Sequence, residues 1–210
     1  MRTGSLLTVT ALVGVALLAS GPALAGGRET GEKAGASPEQ QDIMAAFAKY
    51  AQPGEHHAHL AKLAGTWDAV VKNWTGGPDA EPTVSRGTAV QKLALGGRFL
   101  QTTFTGEYMG QKFEGIGISG YDNLKRKHTD IWIDSMGTFM YPSEGTCEED
   151  GKVLRMSGSY INPATGSEET MRSITRIISD DKYVVEMFAT TPDGKEFKNL
   201  EIVYTRRKGA

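Results

Sequence analysis

The sequence lacks most of the features that announce a chemistry. It has one cysteine, Cys147, so no disulfide framework can be built. It has no cluster of lysine and arginine: 23 basic residues stand against 25 acidic ones, a formal net charge of −2. A nucleic-acid binder needs concentrated positive charge to displace counterions, so no nucleic-acid partner is expected. Past the first 25 residues no apolar run is long enough to span a bilayer. No internal repeat points to a propeller or solenoid, and no glycine-rich stretch carries the Lys-Ser/Thr that cradles phosphate. No Ser-His-Asp or Cys-His arrangement is legible, and no cofactor is expected. What is present is a 39% apolar chain of 210 residues, too apolar for disorder and sized for one domain with short appendages. Its 26 glycines exceed the usual share of roughly 7% without a Gly-X-Y period, which points to turn-rich β structure.

The N-terminus has the pattern of an export signal. Arg2 supplies positive charge, Leu6 to Ala19 are mostly apolar, and Ala23-Leu24-Ala25 follows Pro22 as a small-residue cleavage site. Residues 1–25 are expected to be a signal peptide and 26–36 a flexible linker, giving a periplasmic or secreted protein. No membrane span is expected after signal removal. Cys147 in an oxidising compartment is expected to be a buried small residue, with no partner base in its sequence neighbourhood.

Residues 37–65 form a helical segment by pattern. Ser37-Pro38-Glu39 is a helix start, and Ile43, Met44, Phe47 and Tyr50 recur at helical spacing before Pro53-Gly54. A second short helix is expected over 55–63, with Leu60 and Leu63 turned inward. From 66 to 208, runs rich in Val, Ile, Thr and aromatics alternate with turn signals such as Asp150-Gly151 and Pro192-Asp193-Gly194. About ten strands result, joined too tightly for βαβ crossovers. Ten strands in one open sheet leave two edges, so the expected architecture is an antiparallel up-and-down β-barrel with N-terminal helices.

The segment His57-Ala58-His59-Leu60-Ala61-Lys62-Leu63-Ala64-Gly65-Thr66-Trp67 resembles the opening of a family of exported bacterial proteins known as domain of unknown function 1579. Similar to that family too are Gly96-Gly97-Arg98-Phe99-Leu100, Gly115-Ile116-Gly117, Gly120-Tyr121-Asp122-Asn123, Trp132-Ile133-Asp134 and Tyr204-Thr205-Arg206. The resemblance spans roughly 40 to 206 and implies a lipocalin-like barrel, with no established activity. Gly65-Thr66-Trp67 also looks like the lipocalin and fatty-acid-binding (calycin) signature. That likeness implies Trp67 packed over Arg206 at the barrel base. A neighbouring Arg and Tyr hold a carboxylate in fatty-acid-binding barrels, so Arg206 with Tyr204 is alternatively an anion site. Haem bound through a C-terminal histidine, as in some barrels, fails because no histidine follows 128.

The candidate site residues follow from strand and helix periodicity. Asp130, Trp132 and Asp134 share one face of a strand, and so do Tyr204 and Arg206. If they face the lumen, they can orient a ligand. Together with Arg98, Phe99 and Tyr160 they form the ligand-binding set: Trp132, Asp134, Arg206, Tyr204, Arg98, Phe99 and Tyr160. Arg172 is a further cation, either lumenal or an exposed strand charge. Trp67, Phe104, Phe113, Phe139, Met156, Met187 and Phe188 are further candidate wall residues. Asp134 and His57 are the weak catalytic candidates. His56 and His59 share a helix face and could jointly hold Zn²⁺ or Cu²⁺, but no third ligand is in reach because His128 lies on a distant strand. The plainer reading of these histidines is a polar, partly exposed helix face.

The expected function is a barrel binding a small apolar or amphipathic ligand in its lumen. The alternatives are a hydrolase- or isomerase-like enzyme on the same scaffold using Asp134 or His57, and a filled-core envelope interaction module.

Overall fold

The computed structural model describes residues 37–148, 151–163, 165–191 and 193–209. The expected signal peptide and linker lie outside these. Two helices come first, α1 (Pro38–Tyr50) and α2 (Glu55–Ala61). Ten strands follow: β1 (Gly65–Asn73), β2 (Thr83–Ala94), β3 (Phe99–Tyr108), β4 (Gln111–Asp122), β5 (Lys127–Asp134), β6 (Tyr141–Glu148), β7 (Val153–Ile161), β8 (Glu168–Ser179), β9 (Lys182–Thr190) and β10 (Glu196–Arg206). Each pairs with its sequence neighbour, and β1 pairs with β10 to close an up-and-down antiparallel barrel. Closure removes both sheet edges, as the sequence pattern demanded. No described helix is long and apolar enough to cross a membrane.

Local sequence explains the hairpins. Met109 and Gly110 (φ 51° and 75°) link the paired Tyr108 and Gln111, and a two-residue turn that follows strand twist requires positive φ at both positions. Alternation then sorts the side chains. On β3, Leu100, Thr102, Phe104 and Gly106 turn inward while Phe99, Gln101, Thr103, Thr105 and Glu107 turn out. Cross-strand register carries the inner face around the wall. Phe104 lies opposite Ala89 and Gly115, Gly117 opposite Trp132, Trp132 opposite Tyr141, and Tyr183 opposite Tyr204, itself opposite Ala69.

Burial is uneven along the barrel axis. At the end where β1 begins and β10 finishes, Trp67, Ala69, Ala89, Phe104, Tyr183 and Tyr204 form a continuous buried core. Helix α2 lies at this end, burying Leu60 and His57. Helix α1 differs: its apolar stripe forms as the spacing predicts, but none of its residues is buried, and Met44 and Phe47 are 63% and 64% exposed.

Candidate functional site

The inward polar groups of the opposite half come from β4 to β8. Trp132 lies across two glycines of β4: a Cβ at Gly115 would sit 2.2 Å from the indole, and one at Gly117 would sit 3.1 Å from it. The Gly-Ile-Gly spacing is therefore a seat for this ring. The indole Nε1 donates to Asp134 Oδ2 at 2.9 Å, and Met136 N donates to Asp134 Oδ1 at 2.9 Å. Next along the wall, Tyr141 donates to the carbonyls of Gly158 (3.1 Å) and Met171 (3.0 Å). Its ring is 6.2 Å from that of Tyr160. Burial, Tyr160 and Asp130 together push the Tyr141 phenol up to about 12, so it remains a neutral donor. The Tyr160 hydroxyl donates to Glu169 at 2.8 Å, and Asn162 donates to the same carboxylate at 2.7 Å. Deeper in, Ser119 donates to Asp130 at 2.6 Å, and burial raises the Asp130 carboxyl above its usual range.

Three carboxylates thus face this half, each held by neutral donors. None joins any described ion pair, and no described lysine or arginine holds an inward register position there. The cations lie outside, in chains such as Lys72–Glu201–Lys198–Glu186–Arg176. The inward Phe113, Val185, Met187, Leu200 and Ile202 are partly buried, and Phe113, Val185 and Ile202 pack against the buried core.

The other sequence-selected residues are dispersed. Arg206 does not reach the open lumen. Its guanidinium sits 4.1 Å from the Trp67 ring centre and donates to the carbonyls of Lys62 (2.8 Å), Ala64 (2.7 Å) and Asp180 (2.8 Å). The carboxylate-holding alternative for Arg206 is therefore set aside in favour of the base contact. Tyr204 is buried and stacked on Tyr183 at 4.3 Å. Phe99 points outward, and Arg98 donates to the carbonyls of Ala51 and Leu95 at 3.0 and 3.1 Å. These two line an external cleft of about 300 Å³ with Tyr50, Tyr121 and Asn123. Phe188 is also external, beneath the Arg172 guanidinium at 4.3 Å, and Arg172 pairs with Glu196. Phe139 lies in an exposed loop. Trp67, Phe104, Phe113, Met156 and Met187 do hold inward positions. Tyr141, Ser119 and Glu169 were missed by sequence reasoning, because they lie on other strands and only the cross-strand register places them on the same face as Trp132.

The histidines sit differently from expectation. His57 accepts from Gly54 N at 2.9 Å through Nδ1, and its other nitrogen bonds the Tyr121 backbone. It is a positioning residue for α2, and burial lowers its pKa. His128 is not distant from the others: its ring lies 5.4 Å from that of His56, which is 5.9 Å from His59 and stacked on Tyr121 at 4.0 Å. The sequence separation concealed this because β5 returns beneath α2. Cys147, half-buried rather than fully buried, shares a void of about 30 Å³ with His59 and His128. Burial raises its thiol pKa, so the imidazoles near it do not make it a ready nucleophile. Among the described residues no three His, Cys, Asp or Glu side chains converge in a metal-holding group.

Comparison with known proteins adds the following. Rv2717c from M. tuberculosis has a similar fold, with a TM-score of 0.56 at 16% identity over 75% of this chain and 100% of that one. A redesigned β-barrel matches with a TM-score of 0.38 at 16% identity, over 71% of this chain and 96% of that one. A protein of unknown function of the DUF3598 family from Nostoc punctiforme matches with a TM-score of 0.24 at 9% identity, over 74% and 100%. No curated protein matches the chain. The family described as protein of unknown function, DUF1579, matches residues 52–206, from the α1–α2 link to the last strand that closes the barrel, and the chain belongs to that family.

Proposed function

We propose that the protein is an exported carrier or sensor that binds a small amphipathic molecule in the open half of its barrel. One observation carries this reading. The inward Phe113, Val185, Met187, Leu200 and Ile202 of that half are only partly buried, whereas Trp67, Ala69, Ala89, Phe104, Tyr183 and Tyr204 toward the α2 end are buried to 8% exposure or less. Filling such a space with a ligand removes apolar surface from water at about 25 cal/mol per Å², before ordering costs. The wall also sets the ligand's charge. Asp134, Glu169 and Asp130 have no lumenal counter-ion, so a carboxylate ligand would meet uncompensated negative charge, while a neutral or cationic head would be accepted. Trp132 and Tyr160, next to those carboxylates, offer ring faces to a cation.

The test is a matched series of one twelve-carbon chain as trimethylammonium, alcohol or carboxylate, titrated into the full chain and followed by calorimetry. The expected order is cation first, alcohol second, carboxylate weakest, with the cation at least tenfold tighter than the carboxylate. Weakening by Asp134→Asn combined with Glu169→Gln is expected for the cation alone. If no member binds, the carrier reading is lost. If the carboxylate binds best, the lumen still binds ligand but the charge assignment is wrong. Native mass spectrometry of protein from its own envelope then identifies a resident ligand.

A second reading, an interaction module, draws on α1. Its exposed Ile43, Met44, Phe47 and Tyr50 form an unpartnered apolar stripe.

A further inference from the structure

The histidines at the closed end have no part in the proposed binding, yet their placement is costly. His128 is 3% exposed, and neither of its ring nitrogens has a hydrogen-bond partner. The Nδ1 atoms of His56 and His59 are also buried without partners. A neutral imidazole has one donor and one acceptor, so His128 forgoes both, where an apolar residue of like size would forgo nothing. The three rings lie at the contact between α2 and the barrel, and Gly151 closes over His59: a Cβ there would come within 2.6 Å of that ring.

We propose that His56, His59 and His128 form an acid-sensitive latch that holds α2 against the barrel end while neutral and releases it once protonated. The facing groups decide the direction. From α2 come His57 and the exposed Glu55; from β4, Tyr121 and Asp122; from β5, His128 itself. From β6 comes Cys147, from the β6–β7 turn Lys152, and from the β2–β3 turn Arg98. The Asp122 carboxylate is already engaged by the backbone N–H groups of Leu124 and Lys125. Glu149 and Asp150 lie outside the described residues. Among the described groups, then, a proton arriving on the cluster finds other imidazoles, Lys152 and Arg98 around it, while the Asp122 carboxylate is engaged and that of Glu55 is exposed to solvent. Burial and the neighbouring histidines hold the His128 pKa down at about 4, in keeping with that setting. The last turn of α2 is pinned separately: Trp67 Nε1 donates to Leu63 O at 2.8 Å, and Arg206 holds Lys62 and Ala64. These contacts do not involve the histidines, so release is confined to the histidine-bearing side of α2.

Hydrogen exchange on the full chain between pH 7 and 4, corrected for intrinsic exchange, tests the latch. Protection of the amides of residues 57–61 is expected to fall at least tenfold on acidification, while Ala69 and Ala89 hold theirs. His128→Leu is expected to abolish that loss. His56→Gln provides a second, milder variant if His128→Leu folds poorly, and is expected to reduce it. Side-chain NMR titration of the unaltered chain needs no variant and is expected to show one imidazole protonating well below 6.5. The proposal is overturned if α2 protection does not change with pH, if it is lost only together with that of Ala69 and Ala89, if the variants keep the full pH response, or if all the imidazoles titrate near 6.5.

Discussion

The two halves of this barrel share strands, register and alternation, yet they use their inward positions in opposite ways. At the α2 end, large rings meet small partners: Trp67 edge-on to Tyr183 at 4.7 Å, Tyr183 stacked on Tyr204, and Ala69 and Ala89 filling the remainder. Gln91 donates to the buried Tyr183 hydroxyl at 2.9 Å, so the packed end carries its own polar link. Toward the other end, Trp132 lies against Gly115 and Gly117 and is only partly buried. Both ends contain tryptophan, tyrosine and alternating small residues. What separates them is how the rings are covered: at the α2 end Trp67, Tyr183 and Tyr204 pack on one another, whereas Trp132 lies back against two glycines of the next strand. Full burial is concentrated at one end, and the proposed binding is assigned to the other.

That contrast can be broken by substitution. Trp67→Ala should be the most damaging change, costing about 3–5 kcal/mol in denaturant unfolding because its site is fully packed, whereas Trp132→Ala should cost well under half of that. Equal losses would mean the lumen is packed throughout. Acid should weaken the packed end through His128. His128 has a folded pKa of about 4, below its unfolded value near 6.5, so the unfolded chain takes up the proton first. Stability is therefore full above pH 6.5, falls as pH drops toward 4, and then levels off, a loss on the order of 3 kcal/mol that His128→Leu should remove. Asp130 has the opposite sign: its raised pKa makes the charged form unfavourable in the fold. Its contribution is best at low pH and lost as pH rises through the folded value, so Asp130→Asn should raise the denaturation midpoint at pH 7. Arg206→Lys should cost about 1–2 kcal/mol, since lysine cannot span three carbonyls while lying over Trp67. Gly115→Ala should leave the packed end unchanged but displace Trp132, weakening ligand binding by roughly tenfold, the value of one aromatic contact. Calorimetry with the trimethylammonium ligand checks this last effect.

Much of the architecture was legible because it is written at short range. Turn residues and period-two alternation place the ten strands to within a few residues, and Met109-Gly110 or Gly96-Gly97 need nothing beyond local backbone sterics to act as turns. The candidate site was legible only in part. Asp130, Trp132 and Asp134 share a face by periodicity, but nothing local says that Phe99 and Phe188 point outward while Phe104 and Met187 point inward. A strand has two faces, and only its neighbours decide which one is covered. That no described lysine or arginine holds an inward position in that half was equally hidden, since it depends on the inward positions of several strands at once.

The amino-acid sequence by itself determined the strands, the turns, the helix spacing of α1 and α2, and the pairing of chain neighbours, because each depends on residues within a few positions of one another. The tertiary structure alone decided three things. It brought His128 beneath His56, committed Arg206 to Trp67 across the closing seam, and buried the inward side chains fully at one end and only partly toward the other. All three depend on barrel closure between β1 and β10, which fixes the register of every inward position at once and joins residues as far apart as 67 and 206.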